Sequence, residues 1–435
     1  MSDREEARIL ERFDRLVAFF EKNRFNLISG SLLLFTYILL RGLFEWTLFK
    51  KQDAIYVGLY NAFQAGFVFT LMFASGILVM ALISRIKVRT VTNVVLIGFV
   101  FSVMGPLIDS FIFGRTEGYE YVTLEDFSGA GMGLVFQLVL IGIFGGLYVG
   151  IKTESLKHAL ATLAGLMGCM FFMGIVPTYI FETLQDANFA PDERQAAVAV
   201  ILFVLTVCVA SLLVYVADRR IPGALLKNAN LKFTSVFTAI SFIGLAAAGN
   251  VFIKPVEGEA ITIAANDVPF ALLLLITIIF ASQFLVSLDN ARKLRTKSPA
   301  HGVMTVSRYQ QIAGFFGIVA IGFAFTLGPL PFLTIIILIL VALIYFRFVK
   351  EPNNVQASLV AGLAGVLMYL AGFLTTTTKI KDTLFILEPF EIRYPGHGSI
   401  SFSTSDIVLG VIIFIIAGVL WILLERKKGN KATEA

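Results

Sequence analysis

Asp289 and Asn290 close an apolar run in the stretch FLVSLDNARKLRTKSP, and Arg292, Lys293, Arg295 and Lys297 follow at once. A carboxylate beside an amide supplies hard oxygen donors of the kind that hold Mg²⁺ on a diphosphate. Guanidinium and ammonium groups attract phosphate oxygens without a metal. The same residues would also make an ordinary solvated helix end. Against a metal, each Mg²⁺ on a diphosphate needs several oxygen ligands, and one carboxylate with one amide supplies too few. The expectation is therefore no metal, no cofactor and no catalytic residue. The six residues Asp289, Asn290, Arg292, Lys293, Arg295 and Lys297 remain as candidates for a lipid or phosphate headgroup.

Three further charges lie inside apolar runs, where each costs about 2.5–3.5 kcal/mol on insertion scales. Arg41 and Glu45, in LLRGLFEWTLF, stand four apart on one helical face. They form either a self-neutralising pair near the membrane interface or a polar site facing the bundle interior. Asp109 follows Pro106 in SVMGPLIDSFIFG, where proline withholds a donor and frees a carbonyl. It is either an ion or substrate ligand or a satisfied carboxylate paired with Arg41 on a neighbouring helix. Elsewhere His158, His301 and His397 are scattered, and no GxSxG, P-loop or HExxH pattern occurs. Cys169 and Cys208 lie in apolar spans and read as packing residues.

The elements that would position these residues are membrane helices. The chain is 57% hydrophobic and 15% charged with mean hydropathy +0.84, whereas soluble domains carry roughly 25% charged residues. Apolar runs near the 20 residues a helix needs to cross a bilayer recur along it. The reading is an all-α polytopic membrane protein of about 12 transmembrane helices. Expected spans are 27–49, 57–84, 93–113, 129–151, 159–181, 196–217, 233–253, 268–288, 311–328, 330–346, 356–374 and 406–424. Of the 35 Lys and Arg residues, 26 fall on one side of this alternation, which puts both termini in the cytoplasm by the positive-inside rule. No cleavable signal peptide is expected. The basic excess needs no nucleic-acid partner.

Four regions follow. Residues 1–24 form an amphipathic helix, with Ile9, Phe13, Leu16, Val17 and Phe20 opposite Arg8, Arg12 and Arg15. It lies on the membrane surface or packs on the bundle's own loops. Residues 25–217 form a six-helix module, 218–232 a basic linker, and 233–435 a second six-helix module. In the external loop 375–405, FEIRY and SISFSTS flank PGHG, the pattern of a small two-stranded flap. Gly142, Gly146 and Gly150, and the small residues Ala357, Ala361, Gly365 and Gly372, predict close helix approach.

From about Leu231 to Leu374 the pattern resembles the front half of UbiA-type membrane prenyltransferases. FLVSLDNARKLRTKSP stands where that superfamily carries its first Asp-rich loop, and MTVSRYQQIAGFF resembles the start of its third helix. ALIYFRFVKEP resembles the Tyr-containing basic loop, and AGVLMYLAGFL the fifth helix. The resemblance implies a helical bundle that clamps an isoprenyl diphosphate through Mg²⁺. Here only Asp289 and Asn290 map onto the motif, and Asp382, Glu388, Glu391 and Asp406 fall on the opposite side from a second Asp-rich loop. The first six spans resemble Yip-type families in hydropathy alone, which carries no function across.

The functional expectation is a non-catalytic integral membrane protein of a prokaryotic cytoplasmic membrane. It would be a degenerate UbiA-like module binding lipid or isoprenoid, or a subunit of a membrane complex joined through its Gly-rich helices or the loop 375–405. The alternatives are a 12-helix secondary transporter and an active prenyltransferase. Partners are membrane lipids rather than nucleic acid.

Overall fold

The computed structural model describes residues 25–49, 55–114, 131–187, 191–247, 268–296, 304–349, 354–375, 386–388, 391–394, 398–400 and 412–419, with part of 15–22. They fall into two compact units, Met1–Asn188 with Val198–Ala224, and Phe189–Ala197 with Leu225–Ala435. The boundary after Ala224 lies inside the 218–232 linker.

In the first unit, α1 (Leu27–Phe49) starts at a reciprocal cap. Asn26 Oδ1 accepts from the Ser29 N–H at 2.9 Å, and Ser29 Oγ accepts from the Asn26 N–H at 2.9 Å, so two otherwise orphaned donors are satisfied. Next come α2 (Ile55–Ser84) and α3 (Val88–Gly98), followed by a 3₁₀ turn over Phe99–Val103 and then α4 (Met104–Phe111). The 3₁₀ stretch breaks the third span just before Pro106, where the regular helical ladder loses a donor.

Two long helices follow, α5 (Met132–Thr153) and α6 (Leu156–Asp186), joined by a tight turn. Glu154 takes a left-handed conformation there, and Ser155 Oγ caps α6 by accepting from the His158 N–H at 3.4 Å. The α5 glycines make the close approach expected of them. A Cβ on Gly146 would stand 3.0 Å from the Ala159 carbonyl oxygen, and one on Gly150 2.9 Å from Ala159 Cβ. The core of this unit holds Ile77, Met80, Val91, Tyr148, Val149 and Leu166.

α7 (Pro191–Ala217) and α8 (Arg220–Asn228) cross the boundary between the units. The second unit contains α9 (Leu231–Ala247), α10 (Val268–Thr296), α11 (Val306–Leu327), α12 (Pro329–Phe348) and α13 (Asn354–Phe373). α9 and α13 meet backbone to backbone: Gly244 leaves room for the Tyr369 carbonyl and Gly372 for that of Ser241. Ser241 Oγ donates to the Met368 carbonyl at 2.7 Å. A helical segment over 412–419 packs on α13, where a Cβ on Gly365 would lie 2.6 Å from Ala417.

Among the described residues ten helices are long and apolar enough to cross a membrane. An eleventh arises if the pair Arg220–Lys227 and Leu231–Ala246, bent by 61°, counts as one span. Of the expected span 406–424 only 412–419 is described. The molecule is thus a helical, multi-pass integral membrane protein. The expected external flap has three strands rather than two. β2 (Glu391–Tyr394) pairs antiparallel with β3 (Gly398–Ile400), and β1 (Ile386–Glu388) pairs antiparallel with β2.

Candidate functional site: a polar cluster capping an apolar chamber

Arg41 is 4% exposed and draws its contacts from four helical segments. On α1, its Nε lies 3.0 Å from Glu45 Oε1, the four-residue spacing read from the sequence. Its Nη1 donates to the Ser102 carbonyl at 2.6 Å and to Gln137 Oε1 at 2.9 Å, and its guanidinium lies 4.6 Å from the Phe69 ring centroid. The Ser102 contact has a specific cause. In an α-helix the N–H of residue 106 would bond the carbonyl of residue 102, but residue 106 is proline. The oxygen that Pro106 cannot satisfy is the one that Arg41 takes. Helix break and buried cation therefore answer each other.

Asp109 is buried, and its Oδ1 accepts from the Gly133 N–H at 2.6 Å. Gly133 sits in the first turn of α5, so Asp109 caps that helix from a neighbouring one, where an anion is also favoured by the helix dipole. Two glycines let the elements approach. A Cβ on Gly133 would fall 2.6 Å from the Gly105 carbonyl oxygen, and a Cβ on Gly105 would overlap Gln137 Oε1. Arg41, Glu45 and Asp109 thus serve a satisfied joint between α1, α4 and α5.

Beside this joint lies a cavity of about 690 Å³. Its wall includes Phe73, Phe99, Leu138, Ile141 and Leu166, and of the described lining residues only Ser102, Gln137 and Tyr148 carry polar side chains. Tyr148 lines it further along α5. Its hydroxyl donates to Glu21 Oε1 at 2.9 Å, and Lys152 Nζ lies 2.9 Å from Glu21 Oε2. Val17, also on the N-terminal helix, is buried in the core cluster and lines the cavity. Of the two arrangements open for that helix, its described part packs on its own bundle.

In the second unit both oxygens of Asp289 face cations on its own helix. Arg292 Nη2 donates to Oδ1, and Lys293 Nζ lies 2.6 Å from Oδ2. Arg292 Nη1 also donates to Tyr345 Oη at 3.2 Å, and its guanidinium packs over Phe346 at 5.2 Å. Arg292 is thus turned into the bundle, against Tyr345 and Phe346. Asn290 sits half-buried beside Asp289 on α10. The Arg295 side chain and Lys297 lie outside the described residues. Among the described residues no three His, Cys, Asp or Glu side chains gather where a metal ion would sit. A divalent ion at Asp289 would have to displace both an arginine and a lysine.

Sequence reasoning named Arg41, Glu45, Asp109 and Asp289 but passed over Gln137, Ser102, Tyr148 and Glu21. A signal for Gln137 was present: it is the one amide side chain in the apolar stretch GLVFQLVLIGIFGG, and polar groups within a span call for an explanation. No known protein family, curated protein or solved structure matches the chain.

Proposed function

We propose that the protein is a non-catalytic integral membrane protein that binds a lipid or isoprenoid chain in its first unit. Both termini would lie on the cytoplasmic side of a prokaryotic cytoplasmic membrane. In this reading the second unit is a UbiA-like bundle whose Mg²⁺–diphosphate grip has been replaced by a self-neutralised Asp289. The observation that carries the proposal is the 690 Å³ chamber with apolar walls, set among membrane helices. Apolar cavities exclude water and take up apolar molecules, and this volume lies within the range of ligand pockets, about 300–1,000 Å³. The engagement of Arg41 and Asp109 in structural contacts supports this reading over transport through those charges.

The test uses a hydrocarbon probe bearing a diazirine, added to the purified full-length protein in nanodiscs. Photolysis is expected to place adducts on cavity residues such as Phe99, Leu138 and Ile141, with no dependence on Mg²⁺. Adducts spread evenly over lipid-facing residues, or prenyl transfer by the purified protein that Asp289→Ala abolishes, would overturn the proposal.

A further inference from the structure

We propose that Gln137 is the recognition residue of this chamber and donates a hydrogen bond to the carbonyl oxygen of a neutral lipid. The inference rests on the chain-binding reading above and adds the chemistry of the ligand's head. Gln137 is 3% exposed, lines the cavity and lies in a membrane-spanning helix. Its amide orientation is set by its neighbour. A guanidinium only donates, so the atom facing Arg41 Nη1 at 2.9 Å must be the amide oxygen. The amide nitrogen then faces the other way, and it has no hydrogen-bond partner among the described residues. A donor left unmade in an apolar interior is costly. The cavity that Gln137 lines is the place where an acceptor would relieve that cost.

The rest of the lining narrows the acceptor. Among the described residues no ionisable group other than the Tyr148 phenol lines the chamber, and the Arg41 charge is already shared with Glu45 at 3.0 Å. An anionic head would therefore enter without a free counter-charge, whereas an uncharged carbonyl needs only the donor. The Tyr148 hydroxyl is engaged by Glu21, so the open donor is at the Gln137 end. The two residues are eleven apart on α5, which at 1.5 Å per residue extends the chamber about 16 Å along the helix. The geometry thus fits a carbonyl head at Gln137 with an apolar chain running toward Tyr148. Ester-headed and quinone-headed lipids share that chemistry.

The experiment compares four diazirine-tagged probes of matched chain length on the full-length protein in nanodiscs: an alkane, a methyl ester, an isoprenoid quinone and a free fatty acid at alkaline pH. Gln137→Glu keeps an oxygen for Arg41 and replaces the amide donor with an acceptor. In the wild type the ester or the quinone is expected to reach half-maximal labelling of the cavity at about one-tenth the concentration of the alkane, the value of one modest hydrogen bond. Whichever of the two labels at lower concentration identifies the source. Gln137→Glu is expected to erase that tenfold advantage, read as the ratio of carbonyl-probe to alkane labelling within the same variant. Equal labelling by alkane and carbonyl probes in the wild type would overturn the proposal without any variant. So would an advantage that persists in Gln137→Glu, or stronger labelling by the ionised fatty acid. Failure of every probe, the alkane included, to label the cavity would instead overturn the chain-binding reading on which the proposal stands.

Discussion

At the scale of single residues, the first unit turns on one exchange. Pro106 withholds the donor that Ser102 would have met, and Arg41 supplies it from another helix. Removing one side of a buried charged pair costs about 3–5 kcal/mol, so Arg41→Ala should lower the melting temperature in detergent markedly. Pro106→Ala returns an N–H to position 106. In that background the penalty of Arg41→Ala should shrink by about 1 kcal/mol, within the range seen for coupled neighbours, and strictly additive penalties would refute the exchange. At Asp289 the argument concerns a closed site. Asp289→Ala leaves Arg292 and Lys293 facing each other without their shared carboxylate, so it should destabilise more than Lys293→Ala, whose side chain is one-third exposed. Millimolar Mg²⁺ should leave the wild-type and Asp289→Ala melting curves where they were, and a rise specific to the wild type would mean that the carboxylate opens to metal. Arg41, Glu45 and Asp109 were legible in the sequence because charges inside apolar runs are rare. Beyond the Arg41–Glu45 pair their partners were not: Gln137 lies 96 residues from Arg41 and Ser102 61, and only tertiary packing joins them.

At the scale of elements, small residues decide which helices touch and how closely. A Cβ at Gly133 would fall within 2.8 Å of three atoms of α4, whereas one at Gly98 would meet none within 4 Å. Gly133→Ala should therefore cost about 1–3 kcal/mol through overpacking and loosen the Asp109 cap, while Gly98→Ala serves as the control with little loss. Similar melting temperatures for the two variants would contradict the close α4–α5 contact. Hydropathy located these helices well, because length and apolar character are local properties. It also marked the weak point at Pro106, though not that the break would be the 3₁₀ turn Phe99–Val103. The sequence does not place the N-terminal helix, because an amphipathic face suits a bilayer and a bundle equally. Val17 in the core and Glu21 on Lys152 put its described part on the bundle.

At the scale of the whole molecule, the asymmetry of Lys and Arg makes a claim that topology mapping can check. With Cys169 and Cys208 replaced by serine, Arg393→Cys should react with an impermeant maleimide in intact cells, and Lys297→Cys only after permeabilisation. The reverse pattern would overturn the inside placement of the basic loops. The cavity was not legible at this scale, because it depends on how α2, α3, α5 and α6 meet rather than on any run of residues. The joint at Arg41 also bears on how the protein is made. A chain entering the bilayer in order presents its first helix, cation included, before Ser102 and Gln137 have been synthesised. Nascent chains arrested short of residue 102 should therefore hold that helix shallow, near the lipid headgroups, and draw it to full depth only once the later helices emerge.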